Sequence, residues 1–280
     1  TPDVYDGAPL PVTAFMAAVV KTAAFAAFVR VMSEALTGAA AHWHAVVWWL
    51  AAVTMVLGNV LALSQKNLVR LLAFSSVAHA GYLLVSIVVN SGAGTAALVF
   101  YAISYSLATM GIFGVLITVN DGRDRSPTID DLAGLWLVRP SLAIAMAVFL
   151  LAFLGMPLVG GMGFFAKWYL LQSALQASVP QTQLAIVLVL SSVISAGYYL
   201  RVIASMFMRP RPESHAVPSS HALTSGLVGA CALLLLLLGV FPTPVARFAR
   251  LAVVTNAKSG APALKAPVRP APFSTASVQR

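Results

Sequence analysis

The sequence predicts an all-α, polytopic membrane protein: a bundle of crossing helices in which one helix is broken. Three observations lead there. Of 280 residues, 60% are hydrophobic and 9% are charged, where a soluble domain carries about 25% charge. The apolar residues fall into blocks of roughly twenty, enough for a helix to cross about 30 Å of hydrocarbon. One further block is too long for a straight crossing and is interrupted by proline and glycines.

The elements follow in order. Residues 1–11 carry two aspartates and three prolines and are expected to be a connecting loop. The chain opens without an initiator Met or a signal-peptide pattern, so an interior piece of a longer protein is expected. A transmembrane domain is expected over 12–245. Its spans are predicted at 12–31, 45–63, 68–89, 96–119, 183–207 and 223–241, with the long block at 141–177. That block contains Gly155, Pro157, Gly160 and Gly161. Proline removes a backbone donor and clashes with the preceding turn. Such a break survives within a membrane where protein or water satisfies the freed groups. The final stretch, 255–280, is rich in Ala, Pro, Ser and basic residues and is expected to be disordered.

The net charge of +9 arises mostly from residues between and after the apolar blocks, which is membrane-flanking charge and not a nucleic-acid surface. On the side where the chain begins, termed side one, the loops hold Lys66, Arg70, Arg123, Arg125, Arg139, Arg209 and Arg211; the opposite loops offer Arg30. The positive-inside rule puts side one in the cytoplasm. The tail, with Arg247, Arg250, Lys258, Lys265, Arg269 and Arg280, falls on the other side against the rule.

Lys21 stands near the middle of the first span, and Lys167 in the second half of the broken block. A charge at mid-membrane costs roughly 2.5–3.5 kcal/mol on insertion scales. Each lysine could snorkel to an interface or pair with an acid elsewhere. The functional alternative is a proton relay: removal from water penalises a charged amine, so a buried lysine can take up and release a proton. On the third span Ser75, His79, Tyr82 and Ser86 recur at helical steps, with Ser76 beside them. Histidine shuttles protons near neutral pH, although a packed, hydrogen-bonded histidine is an equal reading. Tyr101, Tyr105 and Thr109 form a weaker stripe, read as interhelical packing. Lys66 and Arg70 are read as loop charge.

Other chemistries find little support. The single cysteine, Cys231, lies in an apolar block, excluding an internal disulfide. "GGMGFFAKW" lacks the Gly-Lys-Ser/Thr of a phosphate loop. His79 is the one histidine expected well inside a span, because His42 and His44 precede the second and His215 and His221 lie between the last two; a haem site is therefore not expected. Nothing suggests flavin, nicotinamide or an iron–sulfur cluster.

"TPDVYDGAPLPVTAFMAAVVK", "GNVLALSQKNLVRLLAFSSVAHAGYLL" and "FLGMPLVGGMGFFAKWYLL" together resemble the antiporter-like membrane subunits of bacterial NADH:quinone oxidoreductase, respiratory complex I, and among them the subunit N family. The resemblance covers most of residues 1 to about 245, and three ordered motifs make it specific. It implies the second half of an antiporter-like fold built from inverted repeats, with a broken helix near Gly155–Gly161. Lys21 matches the family's central lysine, Lys167 the lysine of the broken helix that leads to the periplasmic exit, and His79 falls in the motif "SSVAHAGY". It implies a proton-translocating subunit in a bacterial inner membrane, with the tail periplasmic. NADH, FMN, iron–sulfur clusters and quinone are expected in partner subunits and no cofactor in this chain. The first-half glutamate and lysine of the family have no counterpart in this sequence. A multisubunit Na⁺/H⁺ antiporter, a membrane-bound hydrogenase and a structural scaffold remain alternatives.

Overall fold

The computed structural model describes residues 2–120, 125–157, 161–212 and 222–259. Helices α1 (Pro2–Gly7) and α2 (Leu10–Phe15) open the chain. The expected loop over 1–11 is therefore largely helical. Pro11 sits in the first turn of α2, where its missing N–H goes unused and its fixed φ suits a helix. A five-residue π-turn, Met16–Val20, joins α2 to α3 (Lys21–Arg30), and a second, Val31–Ala35, follows. Together they form one apolar span, Leu10–Ala35.

Four longer helices follow: α4 (Ala40–Leu63), α5 (Leu68–Val89), α6 (Gly92–Asn120) and, after the short α7 (Leu135–Val138) and the half-helices α8 (Pro140–Leu154) and α9 (Met162–Leu175), α10 (Thr182–Met208). Helices α11 (Ala222–Val240) and α12 (Thr243–Ser259) end the described chain. Among the described residues, six helices are long and apolar enough to cross a membrane, and α8 and α9 lie in series as the broken one. Two helices start earlier than expected. Helix α4 takes in His42 and His44 because its alanine-rich first turn favours helix, and α6 starts at Gly92 because the Ser91 hydroxyl caps the Gly94 N–H at 3.1 Å. The expected disorder from 255 begins too early. Residues 255–259 belong to α12, whose Val245 and Ala249, one turn apart, are buried. Residues 260–280, Gly160, Arg123, His215 and His221 lie outside the described residues.

Helices α5 and α6 form the centre, with 83% and 72% of their most apolar stretch buried inside the protein against 39% or less for the other crossing helices. Outer helices turn large apolar side chains outward, such as Trp49, Leu57, Val193 and Leu233, as a lipid-facing surface requires. On side one the loops are clasped by polar contacts. Asn67 caps α5 through the Val69 and Arg70 N–H groups and donates to Asp6 at 2.8 Å. Arg70, read as loop charge, stands in the first turn of α5 and pairs with Asp3 and with Asp6. Asp131 accepts from both Arg125 guanidinium nitrogens at 3.0 and 2.6 Å.

Candidate functional site

The break in the fifth crossing has a definite construction. Helix α8 ends in a Schellman turn: the Met156 N–H reaches Leu151 O at 3.1 Å, the Gly155 N–H reaches Ala152 O at 3.0 Å, and Gly155 takes φ +77°. Gly161, the residue that precedes α9, is also at positive φ, +50°. The two half-helices then pass so closely that a Cβ on Gly163 would lie 2.1 Å from Ala152 O. Lys167, on the second turn of α9, reaches back across the gap. Its Nζ donates to Leu154 O, at the end of α8, at 2.9 Å and to Ser192 Oγ at 3.1 Å. The ammonium thus fills the role of a C-cap, where freed carbonyls and the negative end of the helix dipole favour a cation. Its Nζ also lies 4.9 Å from the centre of the Tyr82 ring.

Lys21 has a closely similar cage. It follows the π-turn Met16–Val20; such local rewinding re-aims the side chains around it. Its Nζ donates to Ser76 O at 2.5 Å and to Ser76 Oγ at 3.0 Å and sits 4.3 Å from the Tyr105 ring centre. Each lysine therefore meets one backbone carbonyl, one serine hydroxyl and one tyrosine face. No carboxylate contacts either amine among the described residues, whose acids all lie at the ends of the bundle.

Between the two cages runs a chain of polar and aromatic groups. Tyr105 donates to Ser76 Oγ at 3.0 Å and stacks on Phe153 with centroids 5.3 Å apart. Phe153 lies 4.6 Å from the His79 ring. His79 Nδ1 is hydrogen-bonded to Tyr101 OH at 2.6 Å and Nε2 to Tyr199 OH at 3.1 Å; Tyr199 also meets Ser75 Oγ at 2.5 Å. A small cavity of about 10 Å³ is lined by His79, Tyr101, Ser104, Tyr105 and Lys167, about the least space that holds one water. Tyr82 OH accepts from Asn59 Nδ2 at 3.3 Å, and Asn59 Oδ1 accepts from Tyr198 OH at 2.8 Å.

The structure thus brings half-buried Lys21 together with buried Ser76, Ser75, His79, Tyr82 and Lys167, with Gly155 and Gly161 shaping the break. Pro157 comes directly after the Schellman turn, where a proline keeps the helix from resuming. Ser86 bonds back to Leu83 O at 2.7 Å, within its own helix. One expectation is corrected: Tyr101 and Tyr105 do more than pack helices, because their hydroxyls reach His79 and Ser76. Sequence reasoning missed Asn59, Ser192, Tyr198 and Tyr199. Asn59, a lone amide in an apolar helix, was the available signal; the serines and tyrosines of α10 were too many to rank without neighbours.

A family model described as NADH:quinone oxidoreductase/Mrp antiporter, TM, matches residues 1–195. This chain belongs to that family. Among curated relatives of this NADH:quinone oxidoreductase/Mrp antiporter family, NADH-quinone oxidoreductase subunit N of Gemmatimonas aurantiaca is 65% identical over the whole chain and 54% of its own length. The chain spans about half the length of the curated relatives it matches. Among solved structures, a chain of respiratory complex I from Thermus thermophilus with bound aureothin is similar with a TM-score of 0.71 and 36% identity, over 88% of this chain and 53% of that one. An Mrp complex from Dietzia sp. DQ12-45-1b shares the fold, with a TM-score of 0.79 at 20% identity over 91% of this chain and 55% of that one. The antiporter-like helical fold expected from the three motifs is the fold observed.

Proposed function

We propose that this chain is the C-terminal half of a proton-translocating subunit N of an NADH:quinone oxidoreductase, relaying protons between Lys21 and Lys167. The matching pair of neutral cages carries the reading. An amine held by a carboxylate stays charged; an amine held by a carbonyl, a hydroxyl and a ring face is free to hold a proton or give it up. In the relay, Lys21 stores the proton. The hydroxyls of Ser76 and Tyr105, His79 with Tyr101 and Tyr199, and one water in the small cavity carry it onward. Lys167 receives it at the break and passes it outward.

The loop charges support a cytoplasmic side one and a periplasmic or extracellular end to α11, in a bacterial inner membrane. The partners in this reading are the other complex I subunits. They supply NADH, FMN, iron–sulfur clusters and quinone, and this chain takes no cofactor and does no redox step.

The test replaces Lys21 or Lys167 by Ala in the full-length subunit within the assembled complex. Proton uptake into inside-out vesicles during NADH oxidation is expected to fall while the complex still assembles. Normal pumping in an assembled variant rejects the relay, and failed assembly favours a scaffold.

A further inference from the structure

The cavity lined by His79 and Lys167 is walled by α6 and α9 together with residues of α5 and α8. Toward side two, the face opposite side one, α6 and α9 also wall a separate cavity of about 680 Å³, together with residues 246–253 of α12. Helices α6 and α9 run antiparallel along it, and their registers agree. On α9, Gly163 and Ala166 face the small cavity and Gln172 and Ser173 the large one, with Gln176 just past the helix end; Tyr169 also lines the large cavity, at the register nearest the small one. On α6, Ser104 faces the small cavity and Ala96 and Ala97 the large one; Phe100 also lines the large cavity, at the register nearest the small one. Phe100 and Tyr169 meet edge to face with centroids 4.9 Å apart, and Phe100 is 1% exposed.

We propose that the large cavity is a water-filled vestibule open to side two and that the Phe100–Tyr169 pair is the barrier separating it from the Lys167–His79 cavity. Three observations converge. The barrier residues sit within one turn of the groups they separate: Phe100 adjoins Tyr101, the partner of His79, and Tyr169 is two positions past Lys167. The vestibule offers amide and hydroxyl groups that hold water, from Gln172, Ser173, Gln176 and Ser91. No carboxylate of the described residues lines either cavity, and the vestibule's one charged lining residue among them is Arg250 of α12. A passage of this chemistry suits water and protons and gives a sodium ion no anionic ligand.

The proposal deepens the relay reading and rests on it for its purpose, yet its geometry is testable without proton transfer. In the full-length subunit with Cys231→Ala, single cysteines are placed at Ala97 and Ser104, and membrane vesicles of each orientation receive a membrane-impermeant cationic thiosulfonate. Ala97→Cys is expected to react from side two. Ser104→Cys is expected to be protected, and to react from side two at least about tenfold faster once Phe100→Ala and Tyr169→Ala open the barrier. Tyr169→Phe, which keeps the ring, is expected to leave Ser104→Cys protected. An unchanged Ala97→Cys rate in each background verifies the fold; if the double variant fails that control, Tyr169→Ala alone carries the comparison. Equal Ser104→Cys reactivity with the pair intact, continued protection after its truncation, or Ala97→Cys reaction from side one alone overturns the proposal. Loss of the relay itself would appear in the pumping of Lys167→Ala and leave these labelling rates where they are.

Discussion

Lys167 of α9 donates to the carbonyl of Leu154, at the end of α8, at 2.9 Å. The cation on one half-helix completes the terminus of the other. A helix break at membrane depth frees carbonyls inside the protein, and each costs several kcal/mol if left unpaired. The same amine therefore serves the fold and, in the proposed relay, the proton.

Lys167→Arg separates these two duties. Arginine keeps the charge and the donors, so the Leu154 carbonyl can still be served, but it does not lose its proton in proteins. The variant is expected to assemble and oxidise NADH while pumping falls on the order of 10²-fold, the scale of a lost acid–base group. Pumping at the parent rate, measured as acidification of inside-out vesicles, would show that the charge alone suffices.

Tyr199→Phe tests the middle of the chain. Its hydroxyl joins Ser75 and His79 at 2.5 and 3.1 Å. Removing it keeps the ring and leaves His79 Nε2 without its partner, at a cost of about 1–3 kcal/mol. Pumping is expected to drop severalfold with assembly intact. A pumping rate equal to the parent's would take Tyr199 out of the path.

The glycines at the break predict a sharp contrast. Gly163→Ala places a methyl 2.1 Å from Ala152 O, a backbone atom that cannot rotate away, whereas Gly226→Ala meets nothing within 4 Å. Gly155→Ala adds φ strain at +77° and a contact 2.8 Å from Lys167 Cδ, about 1–2 kcal/mol for the backbone alone. Yield of assembled complex is expected to rank Gly226→Ala equal to the parent, Gly155→Ala lower and Gly163→Ala lowest. Equal yields for Gly163→Ala and Gly226→Ala would mean that the half-helices are not in contact.

Much of this was legible because the bilayer imposes it. Helix α5, Leu68–Val89, lies over the predicted span 68–89 because Asn67 caps its start and Asn90, in the left-handed region at φ 44°, ends it. The two lysines stood out because cations are rare in such surroundings. Helix α12 did not stand out: its buried stripe, Val245 and Ala249, is short and set among arginines, so composition favoured the tail reading. The roles of Tyr101 and Tyr105 were hidden for another reason. A tyrosine in an apolar helix packs by its ring in every case, and only the neighbouring helix decides whether its hydroxyl reaches a histidine or a serine.

The last prediction lies in the side-one clasp, away from the relay. Burial of the Asp131 carboxyl alone would raise it, but the Thr128 N–H at 2.8 Å, the Thr128 hydroxyl at 2.7 Å and Arg125 outweigh that and hold it below the usual carboxylate value of 3.8. Because the folded value is the lower one, the carboxylate stabilises the fold above about pH 4, and that contribution is lost as the pH falls through the folded value. Arg125 is 57% exposed, so its ion pair is screened and the half-buried Thr128 donors account for most of the effect. Asp131→Ala is expected to cost about 1–3 kcal/mol at pH 7, and its deficit is expected to shrink as the pH is lowered past about 4. Thermal midpoints of the purified complex, taken for parent and variant across that range, check both parts; a deficit that stayed constant to about pH 3 would remove the carboxylate charge from the explanation.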